Sequence, residues 1–233
     1  MPLNKFSFRV SAMLTAIALA GSVAGCRFDT ETIAPAGTGT FEANKYVAIG
    51  NSITAGFQSS ALWETEQRNS FPALIAKQAG ATDFQMPLIT SPGFGTPKRQ
   101  EFLGLTPTGS PIIDTAKTSG VPINSALPRA YNNLGVPGAL IYDAANTTLG
   151  SNCAQALNGG GSNAFFDLVL RNAPGATTGT QIQQAASLSP NFITFWLGNN
   201  DVLGYATSGG VKPPAPTSLT TFQTLYGQAI SGL

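Results

Sequence analysis

The sequence predicts an α/β domain built on a parallel sheet, and two kinds of pattern indicate it. Two uninterrupted apolar runs, at residues 46–49 and 191–197, each end at a glycine. Apolar runs without polar alternation are typical of strands that are buried on both faces of a parallel sheet. Helical patterns lie between and after these runs, and strands that alternate with helices favour a layered α/β domain.

Helical patterns account for much of the remaining domain. Apolar residues recur at spacings of three and four, which places them on one face of a helix. The predicted helices are residues 71–79, 165–171, 180–188 and 221–233. Ser70 precedes the first of them as a possible cap, and Pro72 suits its first turn, where a backbone N–H has no partner within the helix.

The stretch from residue 84 to residue 129 is different, because it is rich in proline and glycine. Residues 101–105 and 111–114 are predicted to be two short strands around a turn. The stretch has too few apolar residues for a core of its own. We therefore interpret it as an insertion in the domain, spanning about residues 58–130.

The N-terminal residues have the pattern of an export signal. Lys5 and Arg9 precede a charge-free apolar stretch at residues 10–23, which is shorter than the roughly 20 residues needed to span a bilayer. The stretch ends in Val-Ala-Gly-Cys, which resembles the bacterial lipobox, and its cysteine is Cys26. The alternative interpretation is a buried apolar helix that contains a cysteine by chance.

The lipobox resemblance implies export to the bacterial cell envelope and attachment to a membrane through lipid on Cys26. One acyl chain holds a protein only weakly, so a cysteine with several chains would provide a stable anchor. The polar segment at residues 30–40 is predicted to be a tether. The expected organisation is a signal peptide at residues 1–25, the lipidated cysteine and tether at 26–44, and the domain at 45–233.

Charge and composition argue against several classes of function. The chain has 12 Lys and Arg against 11 Asp and Glu, without a basic run, which does not suit a nucleic-acid binder. It has no histidine, and its acidic residues are scattered, so we predict neither a metal site nor a cofactor. Cys153 is expected to be a small buried apolar residue, since no histidine can activate it as a nucleophile.

Three short segments carry residue types that suit chemistry on a carbonyl group. Ser52 directly follows the first predicted strand, and open α/β sheets bind ligands at the carboxyl ends of their strands. Gly138 can bring its N–H close to a substrate because it has no side chain. Asn200 follows the second predicted strand, where a carboxamide can donate to a developing oxyanion. Taken singly, the segments are equally typical of a capped helix start, a turn and an Asx turn.

Taken together and in this order, the segments resemble the blocks of the SGNH hydrolases, also called GDSL-type esterases and lipases. Residues 50–54 (Gly-Asn-Ser-Ile-Thr) are similar to the first block, and residues 198–201 (Gly-Asn-Asn-Asp) are similar to the third. The second block is similar to residues 133–138, although this match is weaker.

The resemblance implies a role for one residue of each block. Ser52 corresponds to the nucleophile, and Gly138 and Asn200 correspond to oxyanion donors, with Gly135 as a rival to Gly138. The resemblance also implies a three-layer α/β/α fold with a flavodoxin-like parallel sheet.

The sequence departs from the family pattern in two places. Asn51 stands where the family usually has aspartate, a position outside the catalytic groups. The family's fourth block, Asp-x-x-His, supplies the general base, whereas no histidine follows Asp201 or occurs elsewhere. We therefore expect a chain that is incomplete at its C terminus and inactive by itself. Lys45, Lys77 and Asp201 are poor substitutes, because the lysines lie away from the motifs and Asp201 is expected to fix the third-block loop.

The predicted function is that of a secreted, lipid-anchored serine esterase or lipase that acts on a small-molecule or lipid ester. The alternative is a non-catalytic surface lipoprotein that uses the fold to bind a ligand. Lipid, acetylated sugar and thioester substrates all fit the motifs. Phe57, Trp63, Phe94 and Phe102 either line an acyl site or belong to the core and its cover.

Overall fold

The computed structural model describes residues 43–172, 179–211 and 215–233, which form a mixed α/β fold. Its parallel sheet contains β1 (Tyr46–Gly50), β4 (Asn133–Gly135) and β5 (Phe192–Trp196), in the order β4-β1-β5. A separate antiparallel hairpin pairs β2 (Gln100–Leu105) with β3 (Pro111–Thr115).

Helices flank the parallel sheet. They are α1 (Ser52–Ala55), α2 (Glu64–Arg68), α3 (Phe71–Gln78), α4 (Ile141–Asn146), α5 (Ala154–Leu157), α6 (Ala164–Leu170), α7 (Gln181–Ser187), α8 (Asn200–Thr207) and α9 (Leu219–Ser231). The four helices predicted from periodicity are all present, with ends that differ by one or two residues. Ser70 holds the N-cap position of α3 but makes no capping hydrogen bond with its side chain.

The strand β4 has no counterpart among the strands predicted from apolar runs. It is only three residues long, and asparagine and glycine are both disfavoured in strands. Pairing with β1 holds it in place, with Asn133 opposite Ala48 and Gly135 opposite Gly50. Pairing with the neighbouring strand β1 therefore gives these residues their extended conformation, and their own strand propensity does not.

Side chains of β1 alternate between two apolar clusters. Val47 and Ile49 belong to a cluster that includes residues of α6, α7 and α9. Tyr46 and Ala48 belong to a second cluster with Ala76 of α3. The rings of Phe84 and Phe192 stack on Tyr46, with centroids 5.1 and 5.0 Å from its own. The prediction of burial on both faces is thus confirmed for β1.

The same prediction is wrong for β5. Its residues are only partly buried, and the Trp196 side chain is 50% exposed. Within the described part of the chain, β5 is at the edge of the sheet and pairs only with β1. An edge strand has one unpaired side, so its apolar residues are less completely covered.

Residues 58–130 divide into parts with different packing. Helix α3 lies within this range, and its Ala76 packs against the sheet. The β2–β3 hairpin is present as predicted, but most of its residues are exposed. The base of the hairpin is joined to the domain by a hydrogen bond from Gln100 N to Ser59 O, 2.8 Å long.

The prediction for Cys153 can be compared with the structure, whereas the predictions for the N-terminal segments cannot. Cys153 is fully buried, as expected, and its Sγ accepts a hydrogen bond from Ala156 N at 3.4 Å. The predicted signal peptide, the predicted lipidation site Cys26 and nearly all of the predicted tether lie outside the described residues. Among the residues that are described, none belongs to a helix long and apolar enough to cross a membrane.

Candidate active site

The carboxyl ends of the three parallel strands meet at one edge of the sheet, where ligands bind in open α/β folds. Ser52 follows β1, Gly138 follows β4 and Asn200 follows β5. These three residues line one cavity of about 430 Å³. The structure therefore brings together the three residues that the motifs singled out, although they are far apart in the sequence. Their catalytic roles stay predictions.

Ser52 is the first residue of α1 and is partly exposed. The side chain of Asn51 caps this helix by accepting a hydrogen bond from Ile53 N at 3.1 Å. The first N–H groups of a helix have no acceptor within it, so the Ser52 N–H is left for another partner. Among the described residues, none forms a hydrogen bond with the Ser52 hydroxyl. Both groups are thus available to a ligand.

Gly138 has the backbone conformation that its predicted role requires. Its φ of +83° lies in the left-handed region, which glycine adopts without strain. Asn163 holds the turn by donating from Nδ2 to Pro137 O at 2.9 Å. The rival Gly135 is buried within β4 and donates its N–H to Asn133 Oδ1 at 2.9 Å. Its N–H is therefore occupied, which favours Gly138.

Three asparagines form a chain of hydrogen bonds that links the motif segments. Asn51 Nδ2 donates to Asn199 Oδ1, and Asn199 Nδ2 donates to Asn200 Oδ1 at 3.4 Å. Asn200 Nδ2 then donates to Ala139 O at 2.9 Å, next to Gly138. The Asn200 carboxamide is oriented through both of its polar atoms, and its second N–H remains for a ligand. Sequence reasoning did not anticipate this chain, because it treated Asn51 only as a departure from a family pattern.

Asp201 connects the third segment to the helix that follows Gly138. Its Oδ2 accepts from Ile141 N at 3.0 Å, and its Oδ1 accepts from the Thr217 hydroxyl at 2.8 Å. The Asp201 carboxylate is buried. Both of its oxygens are engaged in positioning the backbone, so it is not placed to act as a base for Ser52.

Asp143 is a second buried carboxylate near the start of α4. Its Oδ2 accepts from Leu140 N at 2.8 Å, while its Oδ1 accepts from Ala154 N at 2.8 Å and from the Thr147 hydroxyl. Burial raises the pKa of Asp143, and the negative charge of Asp201 acts in the same direction, whereas its three hydrogen bonds lower it. The carboxylate thus ties α4 to α5 at some electrostatic cost.

Replacing Asp143 with asparagine is expected to destabilise the fold by about 1–3 kcal/mol, because an amide cannot accept at both oxygen positions. The raised pKa of Asp143 means that its carboxyl group binds a proton more readily in the folded protein than in the unfolded chain. The stability that this protonation contributes is fully present below the ordinary carboxyl pKa of about 3.9. It is lost as the pH rises through the pKa that Asp143 has in the folded protein. The loss caused by Asp143→Asn should therefore be larger in acid than at neutral pH. Urea unfolding at several pH values checks this, and the opposite trend would contradict it.

Aromatic rings form one wall of the cavity. Phe165 makes edge-to-face contacts with Phe57 and Phe94, with ring centroids 5.7 and 5.5 Å apart. Phe57 and Phe94 line the cavity, as one of the two sequence interpretations has it, and Phe165 was not anticipated. Trp63 instead stacks beneath Arg99, and Phe102 is 61% exposed on the hairpin. Two of the four aromatic residues therefore lie where the hypothesis of an acyl site requires them, and the other two do not.

A second cavity of about 650 Å³ adjoins the first. The two share Gly138, Gln155 and Asn200 as common walls, and Leu140 and Leu203 line the second one. Among the described residues that line either cavity, none carries a charge or titrates near neutral pH. A carbonyl group beside Gly138 and Asn200 would thus have room on both of its sides, in neutral surroundings.

Comparison with protein families, curated proteins and solved structures found no match to this chain. The functional assignment therefore depends on the motifs and on the geometry of the cavity. That geometry supplies a hydroxyl group and hydrogen-bond donors to a neutral ligand. It supplies no imidazole, since the chain contains no histidine.

Proposed function

We propose that this chain is a serine esterase domain of the SGNH type, with Ser52 as its nucleophile. The backbone N–H groups of Ser52 and Gly138 and the carboxamide of Asn200 hold the oxyanion in this proposal. One observation carries it: three residues from separate motif segments line the same cavity at the carboxyl edge of a parallel sheet.

We extend the proposal to the finer architecture. The fold is a three-layer α/β/α arrangement, in which residues 58–130 contain an insertion between the first and second motif segments. Two apolar clusters support the layers, because alternate residues of β1 contact different sets of helices. The exposed β2–β3 hairpin supports the insertion, because within the described residues its two strands form a sheet of their own, separate from the parallel sheet.

The proposed reaction begins when the Ser52 Oγ forms a bond to the ester carbonyl carbon. The carbonyl electron pair moves to the oxygen, which the three donors stabilise. When the intermediate collapses, the bond from the carbonyl carbon to the leaving oxygen breaks, and that oxygen takes up the proton lost by Ser52 and departs as the alcohol. The acyl group stays on Ser52 until water releases it as the carboxylic acid. The Ser52 proton needs an acceptor, and no histidine is present to take it. Loss of the base of a serine triad lowers the rate by about 10⁶, while the rest of the site retains roughly 10³–10⁴ over water. This chain should thus bind an ester better than it cleaves one.

The proposed substrate is a neutral small-molecule or lipid ester. Uncharged linings in both cavities offer no counter-charge to a carboxylate or phosphate, whose burial without one is costly. Volumes of about 430 and 650 Å³ suit the two sides of an ester whose carbonyl lies beside their shared residues. We also propose that the protein is exported to the bacterial cell envelope and anchored there by lipid on Cys26.

Imidazole added in solution tests this proposal, because it can replace the missing base. The 233-residue chain is treated with a fluorophosphonate probe, with and without imidazole, and the labelled peptide is identified by mass spectrometry. Labelling is expected at Ser52, faster with imidazole and absent in Ser52→Ala. Ser162 lines the same cavity, so Ser162→Ala is the matched control and should label normally. Labelling that survives Ser52→Ala would contradict the proposal.

A second function has one observation in its favour. The described residues around the cavity include none that can act as a base near neutral pH, as suits a surface lipoprotein that binds a ligand without cleaving it. Absence of labelling at any imidazole concentration, together with binding of neutral esters that is unchanged in Ser52→Ala, would favour this alternative.

A further inference from the structure

The β2–β3 hairpin exposes a concentration of apolar side chains that neither the fold nor the cavity uses. Five of its residues are between 42% and 61% exposed, which is unusual for large apolar side chains in close sequence. They are Phe102, Leu103, Leu105, Ile112 and Ile113. Together these five residues form what we call the hairpin tip.

The hairpin tip is apolar on both of its faces. Successive residues of a strand point to opposite faces, so Ile112 and Ile113 lie on opposite sides of β3. The register of the hairpin shifts between Phe102 and Gly104, where Leu103 is the extra residue of a bulge in β2. Phe102 is directly paired with Ile113 across the hairpin. A protein partner would cover one face of such a ribbon and leave the other in water. A lipid interface surrounds the ribbon and covers both faces.

Charge is distributed along the hairpin in the way an interfacial segment requires. Residues 102–113 contain no charged side chain. Charged residues gather where the hairpin joins the domain. They are Lys98, Arg99, Glu101, Asp114 and Lys117, with three positive and two negative charges. An uncharged end with charges behind it matches the boundary between acyl chains and headgroups, and the excess of cations suits anionic lipid.

We propose that the hairpin tip inserts into the surface of a lipid bilayer and docks the domain there. The inference deepens the proposed function and rests in part on its membrane anchor.

Docking of the hairpin tip would also place the cavity close to the lipid surface. Thr96 lines the cavity, and β2 begins four residues later at Gln100. The Ser60 hydroxyl donates to Gln100 Oε1 at 3.2 Å, which fixes the hairpin base close to the segment that carries Phe57. A hairpin inserted in lipid would therefore hold the cavity near esters carried in the same membrane.

A fluorescent label at the hairpin tip tests the proposal. Full-length protein carrying Leu103→Cys is purified from membranes, labelled with an environment-sensitive dye and reconstituted in vesicles of phosphatidylcholine and phosphatidylglycerol. Cys153 is buried and will not react. Leu157→Cys is the matched control, since Leu157 is 62% exposed and Leu103 is 60% exposed.

Insertion predicts a blue shift, a severalfold rise in emission and severalfold slower quenching by aqueous iodide for the label at residue 103, with no change at residue 157. A water-like signal at residue 103 on vesicle-bound protein would overturn the proposal. A blue shift without vesicles that grows with protein concentration would overturn it too, since it would indicate a second copy as the partner. Mass spectrometry of the N-terminal peptide reports lipid on Cys26 separately, and the imidazole experiment reports on Ser52, so failure of docking is distinguishable from failure of the proposed function.

Discussion

Replacing Gly135 with alanine is expected to destabilise the domain by about 3 kcal/mol, at the upper end of the range for overpacked cores. A Cβ at this position would lie 2.4 Å from Ala55 N and 2.8 Å from Thr54 C. Both contacts are with backbone, so no change of rotamer can relieve them. Either β4 or α1 must move, and α1 carries Ser52. The substitution should therefore also slow the imidazole-dependent labelling of Ser52.

The matched control for this prediction is Gly227→Ala. Gly227 lies inside α9, and a Cβ there would have no heavy atom within 4 Å. Alanine in a helix interior is favoured over glycine by about 0.5–1 kcal/mol, so this variant should be slightly stabilised. Urea unfolding measures both changes. If Gly135→Ala unfolds within a few tenths of a kcal/mol of the original protein, the close packing of β4 against α1 would be wrong.

The elements that the sequence predicts well are those with a strong local pattern. The run at residues 46–49 predicts β1 because its residues are apolar without interruption, and 71–79 predicts α3 because of its helical spacing. β4 lacks such a pattern, since its three residues take their extended conformation from pairing with β1. The exposure of β5 was missed for a related reason. An apolar run predicts a strand but does not tell which strand lies at the edge of the sheet.

The residues of the candidate site could be predicted from the sequence, whereas the hydrogen bonds between them could not. The motif segments singled out Ser52, Gly138 and Asn200, and strand order brings the three to one cavity. The link from Asn51 to Asn199 joins residues 148 positions apart, which no local pattern encodes. In the sequence, this link is indicated only by the presence of asparagine at positions 51, 199 and 200. That signal becomes meaningful only when the two strand ends are known to be neighbours.

Replacing Asn200 with alanine is expected to slow the imidazole-dependent labelling of Ser52 by about 10²–10³-fold, the usual effect of losing one oxyanion donor. One N–H of its carboxamide is held by Ala139 O at 2.9 Å, and Asn199 donates to its Oδ1. This fixed orientation leaves the second N–H for the developing negative charge, with no reorganisation during the reaction. The phosphonylated probe carries a comparable oxyanion, so the rate constant of labelling measures the contribution of this donor.

Asn199→Ala distinguishes donation by Asn200 from mere positioning. Asn199 does not line the cavity, but it accepts from Asn51 and donates to Asn200. Its removal leaves the Asn200 donor in place and weakens only its support, so labelling should slow by about tenfold or less, with a stability loss of about 1–3 kcal/mol from the unpaired Asn51 amide. Thermal unfolding of both variants confirms that each is folded when labelled. If Asn199→Ala is as slow as Asn200→Ala, the asparagine chain acts by holding the loop, and the Asn200 N–H is not an oxyanion donor.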